Sequence, residues 1–266
     1  MVVLRRGIAD LGGVAVALAA GVAAGGVSAG DASLVFAEPG GSKRRELLAR
    51  CWDVRFEDVP PVRSFPSRPG QRHFPGLWWA ATTCDHVGYE SWVERDHVMR
   101  LDFDPAAVAF SSQPFRLLLG RPGERTLRHV PDFFVRQRDG SVVVIDVRPD
   151  DRVGPKDAAV FAATAGVCAS VGWSYQRVGA LDPVFAANLR WLAGYRHRRY
   201  GEPSGVVAAV AAAFAVPGPL LGQAASAGDP IEVLPRVFHL LWQGRLTADL
   251  SRPLNDRTLV STGGHW

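Results

Sequence analysis

The segment Val142-Val-Val-Ile-Asp-Val147 does most to limit what this chain can fold into. A nearly continuous apolar run of this length is expected of a strand buried in the middle of a sheet. One carboxylate, Asp146, interrupts it, and a charge among Val and Ile side chains is costly unless a cation or a partner compensates it. Arg148 lies two residues further on and therefore shares a face with Asp146. Upstream, Arg128-His-Val-Pro-Asp-Phe-Phe-Val135 continues to Arg136 as the neighbouring strand and carries Asp132.

The connection between these strands decides whether the two aspartates meet. A two-residue turn at Asp139-Gly140 would pair Arg138 with Ser141 and set Asp132 against Val147, with the carboxylates on opposite faces. A three-residue loop, Arg138-Asp139-Gly140, with Gly140 left-handed, pairs Gln137 with Ser141 and sets Asp132 across from Asp146. The three-residue loop or an equivalent bulge is therefore predicted. Two carboxylates can hold a hard cation through oxygen, and Arg148 on the same face can meet a phosphate. That is the layout of a metal-dependent nuclease.

A helix is predicted from Tyr89 to Phe103, with Ser91 as N-cap, Glu94 at the capping-box position and Val93, His97 and Leu101 along one stripe. Glu90, Glu94 and Asp96 are its available acids, and Glu94 is the best placed to be a third carboxylate. The residues leave two roles open for it, site ligand or closure of the Ser91 capping box. Asp132 likewise has an alternative, as a strand-end acid paired with Arg128 or Arg136. One or two Mg²⁺, with Mn²⁺ able to substitute, would be held by Asp132, Asp146 and Glu94, and by the backbone carbonyl of Val147. A guanidinium is effectively never deprotonated, so Arg148 can orient phosphate but cannot act as a general base. Lys156, in the following helix, is the candidate ammonium.

With 266 residues, 47% of them hydrophobic, the chain can bury a full core and has room for a large domain and a small one. The net charge of +4 and pI of about 9.3 are compatible with a polyanionic partner without demanding one. Cys51, Cys84 and Cys168 are widely spaced, which suggests neither a disulfide framework nor a structural zinc site. Cys84-Asp-His86 lacks a second ligand pair. No Gly-x-Ser-x-Gly elbow is present, which argues against a serine hydrolase. Arg5-Arg6 before a Gly/Ala/Val-rich run to Gly30 has the outline of a signal peptide, but Asp10 breaks it. A cytoplasmic protein with a flexible extension over 1–45 is expected, export being the minor alternative, and no membrane span is expected.

Strands are also predicted at Val108–Leu119 and Trp173–Val178, with helices from Pro155 to about Val171 and from Asp182-Pro183 to Tyr195. The Pro-rich stretch 58–69 reads as a connector. Helix, three strands, helix, strand, helix gives a mixed sheet with helices on its faces, an α/β domain over 46–200. Over 201–266, three helices (Gly205–Val216, Pro219–Ala227, Pro230–Trp242) precede a hairpin (244–250 with 258–260), suggesting a small winged-helix-like domain. Arg196, Arg198 and Arg199 suit either DNA-backbone contact or a solvated helix end. Trp78, Trp173, Trp191 and Trp242 are expected in the core, and Trp92 is left open.

Five segments, Tyr89–His97, Leu101-Asp-Phe-Asp-Pro105, Ser112-Gln-Pro-Phe115, His129-Val-Pro-Asp-Phe133 and Val144-Ile-Asp-Val-Arg-Pro149, together with the Trp191–Arg196 region, resemble the TnsA-like endonuclease subunits of heteromeric transposases. These belong to the PD-(D/E)xK nuclease superfamily. The likeness covers about 58–199, and a weaker one continues through 234–242. It implies a restriction-endonuclease-like fold with Glu94, Asp132, Asp146 and Arg148 at the catalytic positions, Arg148 standing where the family usually has Lys. It favours the catalytic role for Glu94. It also implies Mg²⁺-dependent cutting of one strand at each end of a transposon in double-stranded DNA. The implied partners are an integrase-type transposase subunit and an ATPase regulator, with subunit or DNA contacts made by the C-terminal region.

Overall fold

A computed structural model describes residues 28–38, 40–65, 70, 74–120 and 126–263. The chain is mixed α/β and divides into two units, 1–98 with 106–180 and 99–105 with 181–266. Residues 181–200, read with the first domain, thus group with 201–266. Most of the extension read over 1–45 lies outside the described residues, but strands begin inside it.

In the first unit, β1 (Ala32–Ala37) and β2 (Lys43–Leu47) form a hairpin that runs into the short α1 (Leu48–Cys51). A 3-10 turn at Phe56–Asp58 follows, then a second hairpin of β3 (Gly76–Ala80) and β4 (Asp85–Tyr89). Helix α2 (Trp92–Phe103) starts three residues later than predicted, because Tyr89 is paired in β4 opposite Gly76. Then come β5 (Ala107–Ser112), β6 (Arg116–Leu119), β7 (Leu127–His129), β8 (Phe133–Gln137) and β9 (Val142–Val147). Helix α3 (Pro155–Ser170) and β10 (Ser174–Val178) complete the unit.

The mixed sheet runs β10-β9-β8-β5, with β10 parallel to β9 across the α3 crossover and the other pairs antiparallel. The antiparallel order and the crossover are as predicted, but β6 and β7 intervene between β5 and β8, so the first three strands are not a simple meander. A second sheet, β2-β1-β6-β7, was not foreseen. The two continuous strands read at 108–119 and 128–136 are each broken in two and shared between the sheets. Both breaks fall at prolines, Pro114 and Pro131, which cannot donate to a ladder. At the first break Gln113 takes a left-handed φ of 48°, and its N–H donates to the Asp132 carbonyl at 2.9 Å, joining the two crossing points.

Side chains from both sheets meet in one core: Leu34 and Phe36 from β1, Leu117 and Leu119 from β6, Phe134 from β8, and Val142 and Val144 from β9. Phe161 and Val167 of α3 close it. Among the predicted core tryptophans Trp173 is buried, while Trp78 is half-buried. Trp92 is half-exposed, with the Arg95 guanidinium 4.0 Å from its ring centre.

Cys51 and Cys168 are buried and Cys84 is exposed. Burial, and next the Glu46 charge, push the Cys51 thiol up to about 11, and burial raises Cys168 further still. Thiolate is the reactive form. Alkylation of the native protein at about pH 8 is therefore expected to label Cys84 alone, and peptide mapping by mass spectrometry reads it. Labelling of Cys51 at a comparable rate would mean that the core opens there.

The second unit holds α4 (Pro183–Ala193), α5 (Ser204–Ala213), the two-residue β11 (Gly218–Pro219), α6 (Leu220–Ala227), α7 (Pro230–Trp242), β12 (Leu246–Ala248) and β13 (Leu259–Thr262). Its sheet runs β11-β13-β12. The Asp182 and Asp229 carboxylates cap α4 and α7 by accepting from backbone N–H groups of the first turn. Buried Asn188 on α4 donates to the carbonyls of Leu250 and Arg252 and accepts from the Leu254 N–H, which fastens α4 to the loop between β12 and β13. Trp242 is buried against Phe103, but Trp191, expected in the core, is 57% exposed and touches Phe238 only along its edge. Among the described residues no helix is long and apolar enough to cross a membrane.

Candidate active site

The β8–β9 hairpin has the three-residue loop. The Gln137 N–H donates to the Ser141 carbonyl at 2.9 Å, and Gly140 adopts a φ of 85°. Phe133 pairs with Ile145, so the next step of the register sets Asp132 opposite Asp146. The Val147 N–H donates to Asp132 Oδ2 at 2.7 Å. Asp132, Asp146, Val147, Arg148 and Glu94 all line one cleft of about 600 Å³ within the first unit. Lys156 is exposed on the first turn of α3 and is not part of this lining; the cations that are, besides Arg148, are Arg63 and Arg152. Arg63 is paired with Glu90 at 2.8 Å. Arg196, Arg198 and Arg199 lie in the second unit; Arg196 donates to the Ala193 carbonyl at the end of α4 at 2.7 Å, and the other two are exposed on a 3-10 turn beyond it.

Glu94 closes the cap of α2. Its Oε2 accepts from the Glu90 N–H at 2.7 Å and its Oε1 from the Ser91 hydroxyl at 2.9 Å, while the Glu94 N–H donates to Ser91 Oγ at 3.2 Å. Glu94 also lines the cleft, so capping and site lining coincide in one residue. Burial is the main cause that raises its pKa.

Asp146 is 3% exposed, and its Oδ2 is doubly held. His129 Nε2 lies 2.7 Å away, and the Tyr175 hydroxyl donates at 2.6 Å. A carboxylate partner at that distance places the ring proton on Nε2. Burial first, and then the Asp146 charge, keep the Tyr175 phenol protonated far above its usual range. Neither residue was foreseen as part of the site. His129 carried a signal, three residues before Asp132, whereas Tyr175 reaches Asp146 only because β10 pairs with β9. The proposed alternative partners of Asp132 do not hold it: Arg136 pairs with Glu57 at 3.0 Å, and Arg128 is exposed.

Asp132 keeps partial exposure towards the cleft, yet surrounding protein desolvates it. Desolvation, followed by the charges of Asp146 and Glu94, raises its pKa well above the ordinary carboxylate range, against the opposing Val147 hydrogen bond. The site is thus a cluster of mutually repelling carboxylates. A divalent cation relieves that repulsion. Among the described residues no three His, Cys, Asp or Glu side chains form a ready metal-holding group. Asp132 Oδ1 and Asp146 Oδ1 nevertheless accept no hydrogen bond from any described residue, and Mg²⁺ is commonly held by one or two carboxylates with the remainder supplied by water and substrate phosphate. The pair of aspartates fits such an ion. Cys84, Asp85 and His86 form no metal-holding group.

The chain matches no protein-family model, and no curated protein matches it significantly.

Proposed function

We propose that this chain is the metal-dependent DNA endonuclease subunit of a TnsA-like heteromeric transposase, cutting one strand at transposon ends. The observation that carries the reading is the convergence of Asp132, Asp146 and Arg148 on one cleft through a three-residue hairpin loop. The first unit is then a restriction-endonuclease-like domain. Within the second, residues 201–266 run helix, strand, two helices and two strands in order, and form a winged-helix-like module for DNA or subunit contacts. An integrase-type transposase and an ATPase regulator are the proposed partners.

Asp132 and Asp146 would hold Mg²⁺, or Mn²⁺ in its place, with Glu94 and the Val147 carbonyl beside them. The bound ion lowers the pKa of water and neutralises charge on the scissile phosphate. His129 and Tyr175 hold Oδ2 of Asp146, which leaves Oδ1 to take a ligand. Arg148 orients the phosphate and stabilises its charge, without taking a proton. Glu94, engaged at both oxygens in the helix cap, rigidifies the cleft wall.

Purified protein, alone and with its transposase partner, is to be incubated with labelled transposon-end DNA and Mg²⁺. Specific nicking that Asp132→Ala reduces by at least about a hundredfold is expected. The engaged Glu94 oxygens and the Arg at position 148 favour a second reading, a silent assembly subunit. Nicking absent from the wild-type complex and gained in Arg148→Lys would establish that reading instead.

A further inference from the structure

We propose that Arg148 and Arg152 together form a phosphodiester-binding site on the rim of the aspartate cleft; the assignment rests on the nucleic-acid reading above and adds a residue to it. Both guanidinium-bearing residues are exposed, and both line the cleft. Among the described residues neither guanidinium has an acidic partner. The neighbouring charges are spent otherwise. Arg63 is paired with Glu90, and Asp150, two residues from each arginine, is held by Arg177 at 2.6 Å. Asp151 does not line the cleft.

The backbone explains how two residues four apart reach one rim. After β9, Pro149 extends the chain and Asp150–Arg152 form a 3-10 turn, closed by the Arg152 N–H donating to the Pro149 carbonyl at 3.0 Å. Arg177 braces that turn from β10, donating to the Arg148 carbonyl at 2.9 Å as well as to Asp150. Desolvated carboxylates with two unneutralised guanidiniums lining the same cleft suit an anion that brings or shares a cation. A phosphodiester does so, and guanidinium forks match its oxygens. Two such groups grip consecutive phosphates or two oxygens of one, which fixes the strand against Asp132 and Asp146.

Binding to a labelled DNA duplex, read by fluorescence anisotropy over a KCl series in Ca²⁺ so that no cutting intervenes, tests this. Arg152→Ala is expected to weaken binding severalfold and to lower the slope of log affinity against log salt by about 0.9, the value for one phosphate contact. Arg152→Lys should keep most of the slope. Arg45→Ala, on exposed β2, should match wild type. An Arg152→Ala slope and affinity equal to wild type overturns the site, even if the wild-type protein cuts DNA. Reduced slope in a protein that never cuts leaves the site standing and overturns only the nuclease. Displacement of DNA by low-millimolar inorganic phosphate would overturn the diester assignment in favour of a small-anion site, and no wild-type DNA binding at all would overturn both readings.

Discussion

Asp132→Asn is expected to abolish metal-dependent nicking and, at the same time, to make the metal-free protein more stable. The asparagine keeps an oxygen for the Val147 N–H and removes a charge that burial, Asp146 and Glu94 all oppose. Relieving a functional site of this kind typically gains about 0.5–2 kcal/mol. In a protein of this size each kcal/mol moves Tm by about 2–4 °C. The effect depends on pH. In the unfolded chain Asp132 ionises near about 3.9, and in the folded chain only at higher pH, so between the two values the native state binds the extra proton. Wild-type stability therefore falls, relative to Asp132→Asn, as pH rises through that window, and the full deficit persists above the folded value. Thermal unfolding in EDTA across pH measures it, and Mg²⁺ should then raise Tm in the wild type but not in the variant. An asparagine variant no more stable than wild type at neutral pH would mean that the carboxylates do not repel one another.

Phe56→Ala is expected to cost about 3–5 kcal/mol, a large part of a typical domain's stability. Phe56 has no exposed surface, and four aromatic rings meet it edge-on: Phe115 at 4.9 Å, Phe36 at 5.3 Å, Phe134 at 5.5 Å and Trp173 at 5.9 Å. Those rings come from both sheets, so truncating Phe56 leaves a cavity where the sheets meet. Its carbonyl also accepts from the buried Ser111 hydroxyl at 2.7 Å, which fixes the turn to β5. Urea unfolding monitored by tryptophan fluorescence gives the value, and Phe56→Leu should lose distinctly less. A cost below about 1 kcal/mol would show that the sheets close over the gap.

Much of the site was legible because its logic is local. The apolar run 142–147 has few places to go except a buried strand, and Gly140 admits the left-handed turn that brings Asp132 opposite Asp146. The Ser91–Glu94 cap and the helix start at Pro155 are likewise decided within a few residues. The spacing of Asp146 and Arg148 follows from the two-residue repeat of a strand. Other features depend on pairings between distant segments, which local preference does not encode. The strand readings at 108–119 and 128–136 failed because each run serves two sheets, parting at Pro114 and Pro131, and which sheet each half joins is set by its distant partners. Tyr175 reaches Asp146 from 29 residues away, and Arg152 replaces Lys156 at the cleft because a 3-10 turn precedes α3. Residue order thus sets which chemistry is available, whereas burial and long-range pairing set which of those groups face one another and how strongly each charge is felt.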